Sequence, residues 1–104
     1  MASHRPVRFD ILVCYDVNTT TAVGQKRLRR VAKVCEGYGQ RVQYSLFECT
    51  LTDALLERMR SKLLDIIDCD EDSLRIYYLY GPRDRRLETH GRDGWVDFLG
   101  PLVA

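Results

Sequence analysis

The 104-residue sequence has no apolar run approaching the ~18 residues that a membrane-spanning helix needs. Its start, MASHRPVR, has no apolar stretch of the kind a signal peptide carries. The expected setting is therefore cytoplasmic, without a membrane partner. The four cysteines, Cys14, Cys35, Cys49 and Cys69, form no C-x-x-C pair, and their gaps of 21, 14 and 20 residues match no zinc pattern. They read as free thiols packed as small hydrophobes in a reducing compartment. The two histidines, His4 and His90, have no partner at ligand spacing, which makes them surface residues rather than metal ligands. There is no internal repeat and no low-complexity segment. A formal net charge of +1 is too small to point to a partner by itself.

What remains is one compact domain, 1–104, with 45% hydrophobic residues. A chain of this size buries about two-thirds of its unfolded surface, enough for a modest core. The stretch ILVCYDVN, residues 11–18, ends a strand predicted over Arg8 to Tyr15. Its unbroken apolar run is the pattern of a central strand covered on both faces. The Thr19-Thr20-Thr21 cluster offers N-caps for a helix from about Ala22 to Tyr38. Leu28, Val31, Ala32 and Cys35 give that helix one apolar face, and Gly37 and Gly39 are expected to end it in the left-handed conformation.

Arg41 to Leu51 has strand character, but its apolar parity shifts between Leu46 and Phe47. With no Gly, Pro or Asn at the shift, one bent strand reads as well as two short ones. Thr52-Asp53 can cap a second helix reaching about Ile67. SLRIYYLY, residues 73–80, is a strand stopped by Gly81-Pro82. Arg83 to Gly94 reads as a polar loop before a last short strand near Val96–Leu99. If the middle segment is a hairpin, the order is βαββαβ plus a C-terminal strand. That is the ferredoxin-like α+β arrangement, which by itself supplies no function.

Charge is concentrated on the first helix. Lys26, Arg27, Arg29, Arg30 and Lys33 lie broadly opposite its apolar face, only Glu36 offsets them, and Arg41 follows the helix directly. A solvated face normally interleaves acids with bases. This density of arginine instead fits phosphate binding, read through backbone and shape rather than bases. Asp16 has three readings: an Asx-type strand end, a catalytic base, or a metal ligand. One carboxylate holds Mg2+ only weakly, but a twofold-related copy would turn one ligand into two.

ILVCYDV, followed by GQKRLRRVAKVCEGYGQRVQYSLFEC, closely resembles the CRISPR-associated Cas2 family, small core proteins of spacer acquisition. The resemblance runs from about Phe9 to Leu99. It rests on an apolar strand ending in Tyr-Asp, the arginine-rich helix, and R-V-Q-x-S-x-F-E. It implies a ferredoxin-like homodimer, a tight turn near Tyr44-Ser45, and a terminal segment, about 95–104, that extends the partner's sheet. It implies that two Asp16 carboxylates share a divalent ion across the dimer axis, usually Mg2+, with Mn2+ as the alternative. It also carries Arg41, Ser45 and Phe47 to the vicinity of the site, the last two as catalytic candidates. The chain departs from the family pattern in its longer start, Met1–Val7, and in its long polar loop, Arg83–Gly94.

Family members cut single-stranded RNA or double-stranded DNA with a metal. They also bridge dimers of the CRISPR integrase, where no cutting by this subunit is needed. The expected function is thus a nucleic-acid-binding adaptation protein with metal-dependent endonuclease activity. In this reading Lys26, Arg27, Arg30, Lys33 and Arg41 grip the backbone of duplex DNA or RNA. The alternatives are a purely architectural subunit and a toxin-like RNA-cutting protein outside any CRISPR locus.

Overall fold

The computed structural model describes residues 7–90. His4, the expected strand near Val96–Leu99 and its exchange between copies lie outside them. Strand β1 (Phe9–Asp16) is followed by helix α1 (Ala22–Tyr38), strands β2 (Gln40–Gln43) and β3 (Leu46–Leu51), helix α2 (Asp53–Ile66), strand β4 (Ser73–Leu79) and a single helical turn, α3 (Arg83–Arg86). The sheet order is β2-β3-β1-β4, with antiparallel neighbours throughout. Each βαβ crossover skips one strand, so both long helices lie on the same face. This is the ferredoxin-like fold.

Local chemistry sets the helix starts. The Thr21 hydroxyl accepts the Gly24 N–H at 3.0 Å, and the Thr52 hydroxyl accepts the Leu55 N–H at 3.2 Å, each filling an orphan donor of a first turn. Helix α1 ends at Gly39, but not in the left-handed conformation expected. Gly39 is extended (φ −161°, ψ −162°). Its lack of a side chain serves packing instead: a Cβ there would stand 2.3 Å from Cys49 Sγ and 2.4 Å from the Glu48 carbonyl oxygen.

The middle segment is a hairpin, with Gln43 opposite Leu46 and a turn at Tyr44-Ser45. Among the described residues only Gly81 has positive φ, so the primed turns that suit two-residue hairpins are excluded. The register slips between Arg41 and Gln43, where Val42 has no strand partner. This bulge gives β2 the extra twist that the turn does not supply.

The core lies between the sheet and the two long helices. Ile11, Val13 and Tyr15 of β1 and Phe47, Cys49 and Leu51 of β3 meet Val31 and Cys35 of α1 and Leu56, Met59 and Leu63 of α2. Among the described residues the helices cover β1 on one face only, where its apolar run predicts cover on both. Leu12 and Cys14 alternate to the other side, where they are only half-buried and neither α1 nor α2 reaches. Half-buried Leu46 and Leu79 and exposed Tyr77 share that open face by register.

The segment expected as a polar loop begins with α3. From it Arg86 reaches back to the Asp10 carboxylate, which also accepts the Thr50 hydroxyl at 2.6 Å. Among the described residues no helix is long and apolar enough to cross a membrane.

Candidate functional site

Asp16 is the last residue of β1, a central strand of the sheet. Tyr15 points into the core, so strand alternation turns Asp16 to the open face. Its side chain is exposed, and no hydrogen bond or ion pair joins its carboxylate to another described residue. Its backbone is held firmly all the same. Asp16 pairs with Ser73 in the register, the Tyr15 N–H donates to the Ser45 carbonyl at 3.1 Å, and Val17 is buried. A free carboxylate on a fixed backbone can serve a ligand that the chain itself does not provide. Among the described residues no group of three or more His, Cys, Asp or Glu side chains gathers as a metal cage.

The other sequence-derived candidates divide into three places. Ser45 sits in the hairpin turn beside the end of β1, close in topology to Asp16. Phe47 does not share that surface. It is fully buried on the helix side, stacked on Tyr15 with ring centroids 6.2 Å apart. The ring expected as a catalytic candidate is thus sealed under the helices, on the face opposite the Asp16 side chain. Arg41 stands directly opposite Phe47 in the β2–β3 register, and its guanidinium lies 5.1 Å from the Phe47 ring centroid. Arg41 also reaches Glu36 at 3.3 Å, and its side chain stays well exposed. It lies on the helix side of the sheet, across from the Asp16 side chain.

Burial pushes the Tyr15 phenol above its ordinary pKa, with neighbouring Cys35 adding to the rise and Arg41 opposing it. Tyr15 donates its hydroxyl hydrogen to the Tyr44 carbonyl at 3.2 Å, which fastens the hairpin turn to β1. Cys35 and Cys49 are pushed up to about 12, chiefly by burial, and so remain neutral thiols at ordinary pH.

On α1 the exposed cations Lys26, Arg30 and Lys33 fall at i, i+4 and i+7, a single stripe. Arg30 and Lys33 continue into an open groove of about 710 Å³ between α1 and α2, lined also by Tyr38, Lys62 and Asp65. Lys62, which the sequence reading passed over, lies 5.1 Å from the Tyr38 ring centroid. Its position on the polar side of the second helix was the available signal.

Arg27 departs from the stripe. Its Nε donates to Asp72 Oδ2 at 2.9 Å and its Nη2 to Asp72 Oδ1 at 3.3 Å, and only 15% of its side chain is exposed. The guanidinium expected to contact phosphate is engaged in an ion pair within the chain. Asp72 is the second residue that the sequence reading did not single out. It stands in an acidic run, Asp70-Glu71-Asp72, that looks uniformly solvated, yet its side chain is fully buried. Burial alone would raise its pKa, but hydrogen bonds from Arg27, the Asp68 N–H and the Asn18 N–H outweigh burial and hold it below the ordinary carboxylate value.

Relatives share this frame. The family model described as CRISPR associated protein Cas2 matches residues 10–86. The CRISPR-associated endoribonuclease Cas2 1 of Moorella thermoacetica is 48% identical over 93 residues, which are 89% of this chain and 97% of that protein. The CRISPR-associated endonuclease Cas2 of Halalkalibacterium halodurans is 43% identical over 89% of this chain and 97% of its own length. The crystal structure of Streptococcus pyogenes Cas2 superposes with a TM-score of 0.70 at 52% identity, covering 79% of this chain and 99% of that one. The matched span takes in the strand that presents Asp16, the cationic helix and the hairpin beside them, and on that ground the chain belongs to the CRISPR-associated Cas2 family.

Proposed function

We propose that the protein is a CRISPR adaptation subunit that acts as a homodimer. In this reading it binds nucleic acid along its cationic helices and hydrolyses phosphodiester bonds at a divalent ion shared by two Asp16 carboxylates, one from each protomer. The observation that carries the reading is Asp16 itself, an exposed carboxylate with no partner among the described residues, at the rim of an open sheet face. The apolar residues of that face, Leu12, Cys14, Leu46 and Leu79, are the kind of surface that an isologous contact covers. Such a contact brings the two strand ends toward a common axis.

The donor chemistry fits a hard cation only as a pair. Mg2+ and Mn2+ favour carboxylate and water oxygens, and a site of one or two carboxylates leaves positions for water and phosphate. Bound there, the ion would lower the pKa of a coordinated water and offset phosphate charge. The remaining work falls to side chains of this chain. Lys26, Arg30 and Lys33 hold nucleic-acid backbone on the helix layer, at a distance from the ion, and Arg41 adds a further cation at the hairpin. The Ser45 hydroxyl can donate to a phosphate oxygen or orient a water.

The relatives are named as an endoribonuclease and an endonuclease, which supports nuclease activity; single-stranded RNA and duplex DNA are the two substrate classes to test. A metal-titrated cleavage assay on both, with wild type beside Asp16→Asn and light scattering on each, tests the proposal. Metal-dependent cleavage lost in an intact dimer supports it. Full cleavage by Asp16→Asn contradicts it.

An architectural reading is favoured by one separate observation: the α1 stripe and the α1–α2 groove lie on the helix layer, away from Asp16. They can clamp a nucleic acid while the CRISPR integrase binds elsewhere on the dimer, with no cutting by this subunit. Spacer integration that is unchanged in Asp16→Asn would favour this reading. Integration lost together with cleavage would remove it.

A further inference from the structure

We propose that Asp72 is a positioning residue for Asp16, acting as a clasp that fixes the chain on both sides of that carboxylate; this rests on the reading of Asp16 as a metal ligand. All four acceptor positions of the Asp72 carboxylate are filled. Oδ1 accepts the Asn18 N–H at 3.0 Å and Arg27 Nη2 at 3.3 Å. Oδ2 accepts Arg27 Nε and the Asp68 N–H, each at 2.9 Å. The carboxylate is fully buried beneath these donors.

The placement follows from the sheet. Asp16 pairs with Ser73, and Asp72 is the residue just before Ser73. Asn18 lies two residues beyond Asp16. One carboxylate therefore grips the loop that leaves Asp16 and adjoins the strand residue that faces it. The rest of the loop is equally constrained. Asn18 Oδ1 accepts the Thr20 N–H and the Thr20 hydroxyl at 3.0 and 2.8 Å, and Asn18 Nδ2 donates to Glu71 at 2.6 Å. The Asn18 carbonyl oxygen lies so close to α1 that a Cβ on Gly24 would meet it at 1.9 Å. Nothing in this network touches the Asp16 side chain. It sets the backbone from which that side chain projects and leaves the carboxylate itself free.

The Arg27–Asp72 pair ties together segments 45 positions apart and so bears on the fold itself, which means the test must separate positioning from stability. Asp72→Asn removes the anionic acceptor that holds Asn18. Arg27→Gln removes the ion pair but leaves the Asp72 carboxylate to accept the Asn18 and Asp68 N–H groups. Both are measured in the full-length protein by amide hydrogen exchange at Asn18, referred to the core amide of Val13, and by Mn2+ affinity from electron paramagnetic resonance.

For Asp72→Asn we expect Asn18 exchange to rise about tenfold or more, the effect of losing a bond to a charged acceptor. Mn2+ affinity should fall severalfold, less than the loss seen when a partner bonded to the ligand itself is removed. For Arg27→Gln we expect a comparable fall in Tm with Asn18 exchange and Mn2+ affinity close to wild type. Asn18 protection unchanged in Asp72→Asn, or both readouts simply tracking Tm across the two variants, overturns the clasp. Asp16→Asn is the control on the underlying reading. If it binds Mn2+ as wild type does, the metal assignment fails, while Asn18 exchange still decides whether the clasp exists.

Discussion

The Arg41 guanidinium lies over the face of the Phe47 ring, 5.1 Å from its centroid, on the side of the sheet opposite the Asp16 side chain. The two residues form one unit, a buried aromatic under an exposed cation. Phe47 acts in it as a support. Phe47→Ala should destabilise the protein by about 3–5 kcal/mol in denaturant unfolding, the usual range for truncating a buried phenylalanine. Phe47→Leu should cost far less and should keep wild-type cleavage per folded molecule. Loss of cleavage in a stable Phe47→Leu protein would restore the ring to the chemistry.

The Arg27–Asp72 pair predicts a defined acid response. The Asp72 pKa is depressed in the folded chain from an ordinary value of 3.8, burial being outweighed by the Arg27, Asp68 and Asn18 hydrogen bonds. A depressed carboxylate contributes stability that is complete above its unfolded pKa and is lost as pH falls through the folded one. Asp72→Asn should therefore lower Tm by at least about 5 °C at neutral pH. The gap to wild type should narrow only below pH 3.8. Calorimetry of both proteins across that range checks the sign.

The proposed phosphate contacts lie on the stripe and not at Arg27. Replacing Lys26, Arg30 and Lys33 together with glutamate should weaken duplex binding. It should also reduce the magnitude of the log–log salt slope by about 2 to 3, at 0.7–0.9 per contact. Arg27→Gln should lower Tm and leave that slope near wild type. Binding isotherms at several salt concentrations separate the two.

Thiol reactivity should follow burial. Cys69 is exposed, whereas Cys35 and Cys49 are buried with pKa values raised to about 12. An aromatic disulfide reagent near pH 8 should modify Cys69 in the native protein and reach Cys35 and Cys49 only on unfolding. Rapid native labelling of Cys49 would contradict the packing of β3 against α1.

Much of the frame is written in local pattern. The α1 limits, Ala22 and Tyr38, follow from a 3.6-residue apolar period and a threonine cap, both local signals. The β4 strand stands out through its aromatics and its Gly-Pro stop. The hairpin does not, because Tyr44-Ser45 is neither a glycine nor an asparagine turn and its twist is made up by a bulge at Val42. Asp16 was legible as a residue of interest, since an acid closing an apolar run is a conflict visible in the sequence. The faces were harder. Phe47 and Asp16 both stand beside the hairpin, and only sheet register separates them onto opposite sides. Arg27 looked like its neighbours on α1, and its partner 45 positions away is brought to it by the crossover alone. The open face was hidden for a related reason: an apolar run reads the same whether helices cover one face of a strand or both.

The central claim is one ion for two Asp16 carboxylates. Titration of the purified protein with Mn2+, counted by electron paramagnetic resonance at a protein concentration where light scattering shows the dimer, measures it directly. The account predicts one tightly bound ion per dimer, lost in an Asp16→Asn dimer of unchanged mass. One ion per protomer, or one per dimer that survives Asp16→Asn, would contradict it.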